Sequence, residues 1–133
     1  MADYDQAIRI DPAFALAYNN RGDAWMGKGD TEQLDRAAAD YGQAVKMAPT
    51  DARGWRNRGL IRLFQGDNKG GIADYDKALK YDPSDADSWN NRGQAKMRLG
   101  DKAGAIADLK KALEIRSDLR TAQDGLKQLG ATQ

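Results

Sequence analysis

Residues 49–83 read PTDARGWRNRGLIRLFQGDNKGGIADYDKALKYDP. The marks of this stretch are Trp55, Asn57, Arg58 and Gly59, then Gly66-Asp67, then Ile72, Asp74, Tyr75, Ala78 and Leu79, and finally Asp82-Pro83. Pro83 falls 34 residues after Pro49. A further 34 residues along, the same order returns as Trp89, Asn91, Arg92, Gly93, Gly100-Asp101, Ile106, Asp108, Leu109, Ala112 and Leu113. A fixed period of this length marks a repeat architecture, in which each unit buries its apolar face against its neighbours. Gly-Asp in mid-unit reads as a helix stop followed by a helix cap. Each unit is therefore two helices, expected at about 51–65 and 68–81 in this copy and 85–99 and 102–116 in the next.

Working outward, residues 13–49 form an earlier copy with helices at about 14–28 and 31–47. It is longer by three residues, because Pro49 lies 37 residues after Pro12. The extra residues fall within 31–36. Three residues are nearly one helical turn, so they are expected to lengthen the helix without turning its apolar face of Leu34, Ala37, Ala38, Tyr41, Ala44 and Val45. Residues 1–12 match the second half of a unit and lack a first half. Residues 118–130 read as one last helix with a stripe of Leu119, Ala122, Leu126 and Leu129, its other face carrying Arg120, Asp124, Lys127 and Gln128; this pattern suits a terminal cap. The organisation is one domain over 1–133: a half repeat 1–12, repeats 13–49, 50–83 and 84–117, and a terminal helix 118–130. Eight helices and no strand are expected. The incomplete first unit is expected of a fragment of a longer array.

Composition narrows the function. Lys and Arg total 21 against 20 Asp and Glu, for a net charge of +1. A nucleic-acid binder normally carries a clear basic excess. The 133 residues include no His and no Cys, so no nucleophile–base pair, thiolate or imidazole ligand is on offer. Neither an enzyme nor a cofactor or metal protein is expected. Mean hydropathy is −0.80, as for a thin stack with much surface. No apolar run spans a membrane and no leader is visible, so a cytoplasmic chain is expected. Gly22, Gly27, Lys28 and Gly29 nearly spell a phosphate loop, but the closing Ser or Thr and the preceding strand are missing. Asp76, Asp82, Asp85 and Asp87 do not have the spacing of a calcium loop.

The three copies resemble the tetratricopeptide repeat family over essentially the whole chain. The matching rows are Tyr18, Arg21, Gly22, Trp25, Ala37, Tyr41, Pro49; Trp55, Arg58, Gly59, Arg62, Gly71, Tyr75, Pro83; and Trp89, Arg92, Gly93, Lys96, Ala105, Leu109, Ser117. Two slots depart from the family: its Leu is Arg21, Arg58 and Arg92, and its second aromatic is Arg62 and Lys96. The resemblance implies an all-α, right-handed superhelical solenoid of antiparallel helix pairs. It implies that first helices line a concave groove, and that the protein binds a peptide or helix of another protein without catalysing a reaction. The partner's identity is not in the sequence. An alternative is a self-assembly module joining copies end to end, completing the half repeat of one copy with the last helix of another.

On this reading the groove presents Leu16, Asn19, Asn20, Asp23, Arg53, Arg56, Asn57, Leu60, Phe64, Asp87, Asn90, Asn91, Gln94 and Arg98, with a basic middle and an apolar anchor near Leu60 and Phe64. Asn20, Asn57 and Asn91 recur at a slot whose amide can hold a peptide backbone, or are simply the family's usual residue there. Some family members clamp acidic tails. Of the matching positions Asn19, Asp23, Asn57, Asp87 and Asn91, only Asn57 fits that clamp, and Asp87 opposes it. The Arg rung of Arg21, Arg58 and Arg92 matches an Asp rung of Asp3, Asp40, Asp74 and Asp108. Paired ladders are expected, each exposed pair contributing about 0–1 kcal/mol. Gly22, Gly59 and Gly93 are expected where the two helices of a repeat touch.

Overall fold

The computed structural model describes residues 31–131 together with Asn19, Arg21 and Gly22. Among the described residues there are six α-helices and no strand: α1 (Thr31–Met47), α2 (Ala52–Phe64), α3 (Asn68–Tyr81), α4 (Ala86–Arg98), α5 (Lys102–Ile115) and α6 (Arg120–Gln128). The half repeat 1–12 and most of the helix expected over 14–28 lie outside the described residues. Helix α1 is 17 residues long against 14 each for its counterparts α3 and α5, so the three extra residues are helical.

The joint inside each repeat is built from two residues. Gly66 adopts φ +83°, a left-handed conformation that only glycine takes without strain. Its neighbour Asp67 then serves both helices. The Asp67 N–H donates to the Arg62 carbonyl at 2.8 Å, closing α2, and its carboxylate accepts from the Gly70 N–H at 2.9 Å, opening α3. Gly100-Asp101 repeats the arrangement between α4 and α5, with bonds to Lys96 and Gly104. Between repeats the chain turns through Pro49 and Pro83, and a side chain spans each turn. The Trp55 indole N–H donates to the Pro49 carbonyl and the Trp89 indole to the Pro83 carbonyl, both at 2.8 Å. At the start of α6 no Trp is present, yet the Gln123 amide donates to the Ser117 carbonyl at 2.9 Å in the same register.

Helix α2 packs along α3 and α4 along α5, and the pairs stack through α1 on α2, α3 on α4, and α5 on α6. Tyr41, Tyr75 and Leu109 occupy one register and fill the middle of their repeats, each essentially fully buried. Close approach inside a repeat needs the recurring glycine. A Cβ on Gly59 would lie 3.1 Å from the Asp74 Cβ, 3.2 Å from the Tyr75 ring and 3.3 Å from the Gly71 carbonyl oxygen. The fold is an all-α helical repeat solenoid.

Candidate functional site: a groove across the first helices

The 34-residue period brings α2, α4 and α6 side by side with matching positions level. Between them lies a groove of about 420 Å³. Helix α2 gives it an apolar wall of Leu60, Leu63 and Phe64. Helix α4 contributes Asn90, Asn91, Gln94 and Arg98, and α6 contributes Thr121, Asp124, Gly125 and Gln128. Phe64 is 63% exposed, a large apolar surface at the open end of the wall.

Some of these polar groups are already committed. Asn90 is buried and its amide donates to the Thr121 hydroxyl at 3.0 Å. The Gln94 amide donates to the Thr121 carbonyl at 3.0 Å and to the Asn90 side-chain oxygen at 3.3 Å. Together they stitch α4 to α6. The Asn91 amide donates to the Tyr75 hydroxyl at 3.1 Å. Burial pushes the Tyr75 phenol up to about 12, against the small opposing effect of that bond. Asn57, expected in the groove, is not among its lining residues, and the Asn57 side chain makes no hydrogen bond among the described residues. Arg98 and Asp124 form no ion pair among them either, and they are the groove's two uncompensated charges.

Of the residues expected in the groove, Leu60, Phe64, Asn90, Asn91, Gln94 and Arg98 come together. Arg53 and Arg56 are not among its lining residues. Arg53 grips Asp51 at 2.6 Å, where it also holds the Asp51 carboxyl below its usual range, and Arg56 reaches Asp85 at 3.4 Å. Asp87 pairs with Arg116 at 2.8 Å. Among the described residues the groove's one cation is thus Arg98, at the end of α4, and the part lined by α4 is amide rather than basic. Asn19 is buried. Leu16, Asn20 and Asp23 lie outside the described residues. Leu63 and the whole α6 wall were not expected. The sequence does carry the signal for α6: Asp124, Gly125 and Gln128 stand one period after Asn90, Asn91 and Gln94.

A tetratricopeptide repeat profile matches residues 29–70 and 58–119. The chain belongs to the tetratricopeptide repeat family. Its backbone superposes on the crystal structure of MamA with a TM-score of 0.88 at 17% identity, over 95% of this chain and 72% of that one. The Arabidopsis OM64 TPR domain gives 0.82 at 24% identity, over 87% and 93%. The first TPR of Spaghetti (RPAP3), bound to the HSP90 peptide SRMEEVD, gives 0.82 at 20% identity, over 87% and 90%. At these identities the likeness is one of fold. No curated protein matches the sequence.

The tetratricopeptide repeats of this chain depart from the family pattern where the two charged ladders meet. Arg58 binds Asp74 through two nitrogens at 3.0 and 2.9 Å, and Arg62 adds a third contact at 3.0 Å. Arg92 binds Asp108 at 2.8 Å through two nitrogens, and Lys96 joins at 3.0 Å. Arg21 pairs with Asp40 at 2.7 Å. Each unusual cation therefore has a carboxylate waiting in the facing helix of its own repeat. The guanidinium groups of Arg58 and Arg92 also lie over Trp55 and Trp89, at 5.2 and 5.0 Å from the ring centres. These pairs differ from the exposed ones expected, because Asp74 and Asp108 are only 2% and 3% accessible. The bond to Asp108 raises the Arg92 pKa further above its ordinary value.

Proposed function

We propose that this chain is a non-catalytic protein-interaction scaffold whose groove across α2, α4 and α6 takes a peptide or helix of a partner. The observation that carries this reading is the exposed Phe64 beside the polar groups of α4 and α6 that line the same groove. An apolar wall supplies affinity, while Arg98, Asp124 and Gln128 supply direction and selectivity. The ligand fitting these walls has an apolar side chain for Leu60, Leu63 and Phe64 and a mixed polar remainder. An acidic tail of the SRMEEVD kind, bound by the RPAP3 domain, meets Asp124 here and lacks a basic floor. The single arginine lining the groove among the described residues and the net charge of +1 favour a protein ligand over a nucleic acid.

Selection of a displayed random-peptide library against the whole chain tests this reading. Selected peptides should share an apolar residue and lose binding by more than about ten-fold to Phe64→Glu, since burying one large apolar side chain contributes about 1.5–3 kcal/mol. Phe64 is exposed, so the variant should melt with the parent. Selected peptides that ignore Phe64→Glu would place the interaction elsewhere.

A further inference from the structure

A second hollow, of about 620 Å³, opens between α1 and the start of α2 and shares no residue with the groove. Among its lining residues are Gly42, Val45, Lys46, Pro49, Trp55 and Arg58, and no acid is among them. The internal repeat shows what is missing there. One period later, Asp76 occupies the slot of Gly42, and Arg92 occupies the slot of Arg58. In that later junction the Arg92 Nη1 donates to the Asp76 carboxylate at 2.8 Å. In the earlier one, Arg58 spends Nε and Nη2 on Asp74, and its Nη1 has no partner among the described residues. A Cβ built on Gly42 would lie 3.8 Å from that Nη1, so the nitrogen faces the empty slot directly.

The other two junctions show the same coupling in sequence. Asp5 precedes Arg21 at these slots, whereas Lys110 precedes Leu126, the arginine going when the aspartate goes. Only Gly42 and Arg58 keep the cation without its acid. The charge balance follows. Arg92 and Lys96 face Asp108 and Asp76, two cations to two anions. Arg58 and Arg62 share Asp74 alone, and Lys46 beside them forms no ion pair among the described residues.

We propose that this hollow is a recognition site for the carboxylate of an Asp or Glu side chain on an acidic segment of a partner protein, which takes the place that Asp76 holds in the next repeat. The carboxylate accepts from the Arg58 Nη1 and pairs with Lys46. An adjacent apolar side chain lies against Trp55, Pro49 and Val45. The guanidinium is fixed in advance by Asp74 and by the Trp55 ring, so little side-chain entropy is lost when it is engaged. This site stands whether or not the groove binds peptides.

The test uses the whole chain and two capped dipeptides, acetyl-Leu-Glu-amide and acetyl-Leu-Gln-amide, with acetate as a third probe. Binding is followed by the NMR signals of the Trp55 indole and the Arg58 guanidinium. The Glu peptide should bind roughly ten-fold tighter than the Gln peptide, as a charge-assisted bond to a carboxylate requires. Gly42→Asp fills the slot from within, so it should abolish this preference and raise the melting temperature above that of Gly42→Ala, which should keep the preference. Equal binding of the two peptides, or a preference that survives Gly42→Asp, overturns the proposal. Acetate binding as tightly as the Glu peptide overturns the acidic segment as the ligand and leaves a small-carboxylate site.

Discussion

At the scale of single residues, the consequential groups are buried and charged or buried and titratable. Asp74 is nearly inaccessible and holds two arginines. Asp74→Ala should cost about 3 kcal/mol in chemical denaturation, toward the low end for a broken buried pair because both arginines keep some contact with water. Asp118→Ala, on an 87% exposed side chain, should change stability by less than about 0.5 kcal/mol. Tyr75 gives a pH dependence. Its phenol titrates at about 12 in the folded chain and at about 10 when unfolded. Between those values the unfolded chain has released a proton that the folded chain retains. The contribution is whole below pH 10 and is lost as the pH rises toward 12. The denaturation midpoint of the parent should therefore fall more between pH 9.5 and 11.5 than that of Tyr75→Phe. The ladders themselves were legible as two rows of opposite charge at one period. Their burial was not, because the cations that hold Asp74 and Asp108, Arg58 and Arg62 for the one and Arg92 and Lys96 for the other, come from the facing helix.

Among the elements, the six described helices were the most legible part, with ends within one or two residues of those expected. The reason is local: Gly-Asp and Pro stop and restart the chain wherever they fall, independent of what packs above. Two glycine substitutions separate local from packing effects. Gly66→Ala has open space around its side chain and suffers only the left-handed backbone, at about 1–2 kcal/mol. Gly59→Leu keeps a normal helical backbone and drives its side chain into Asp74, Tyr75 and Gly71, costing about 1–3 kcal/mol or more. Thermal melts of the two variants measure the terms separately, and a Gly59→Leu protein melting with the parent would remove the close-approach account. The least legible element was α6. Its polar residues read as a solvent face, but Thr121, Asp124 and Gln128 close the groove. Hydropathy cannot tell a polar residue facing bulk water from one facing a cleft, whereas the register could.

For the whole molecule, the period determined the stack, and what it left open was how the stack meets other molecules. Helix α6 repeats the register of α2 and α4 but changes the two slots that seat a second helix. Leu126 stands for Arg58 and Arg92, and Lys127 stands for Gly59 and Gly93. A lysine where two helices must nearly touch opposes docking of another copy's half repeat. Sedimentation across a wide concentration range should show constant mass; a mass that rises with concentration would restore end-to-end assembly. The Gly-Asp joints have a mechanical consequence. Asp67 spends its N–H on one helix and its carboxylate on the next, which leaves no slack between them. Each repeat is therefore a stiff plate. The turns at Pro49 and Pro83 are each spanned by an indole N–H bond of 2.8 Å, and the Asn91–Tyr75 bond and the Arg92–Asp76 pair also join the repeats on either side of Pro83. Under tension the stack should act as plates on latched hinges: lengthening is expected first at the Pro49 joint, which lacks the Arg92–Asp76 pair of the next one, and only at higher load inside a repeat.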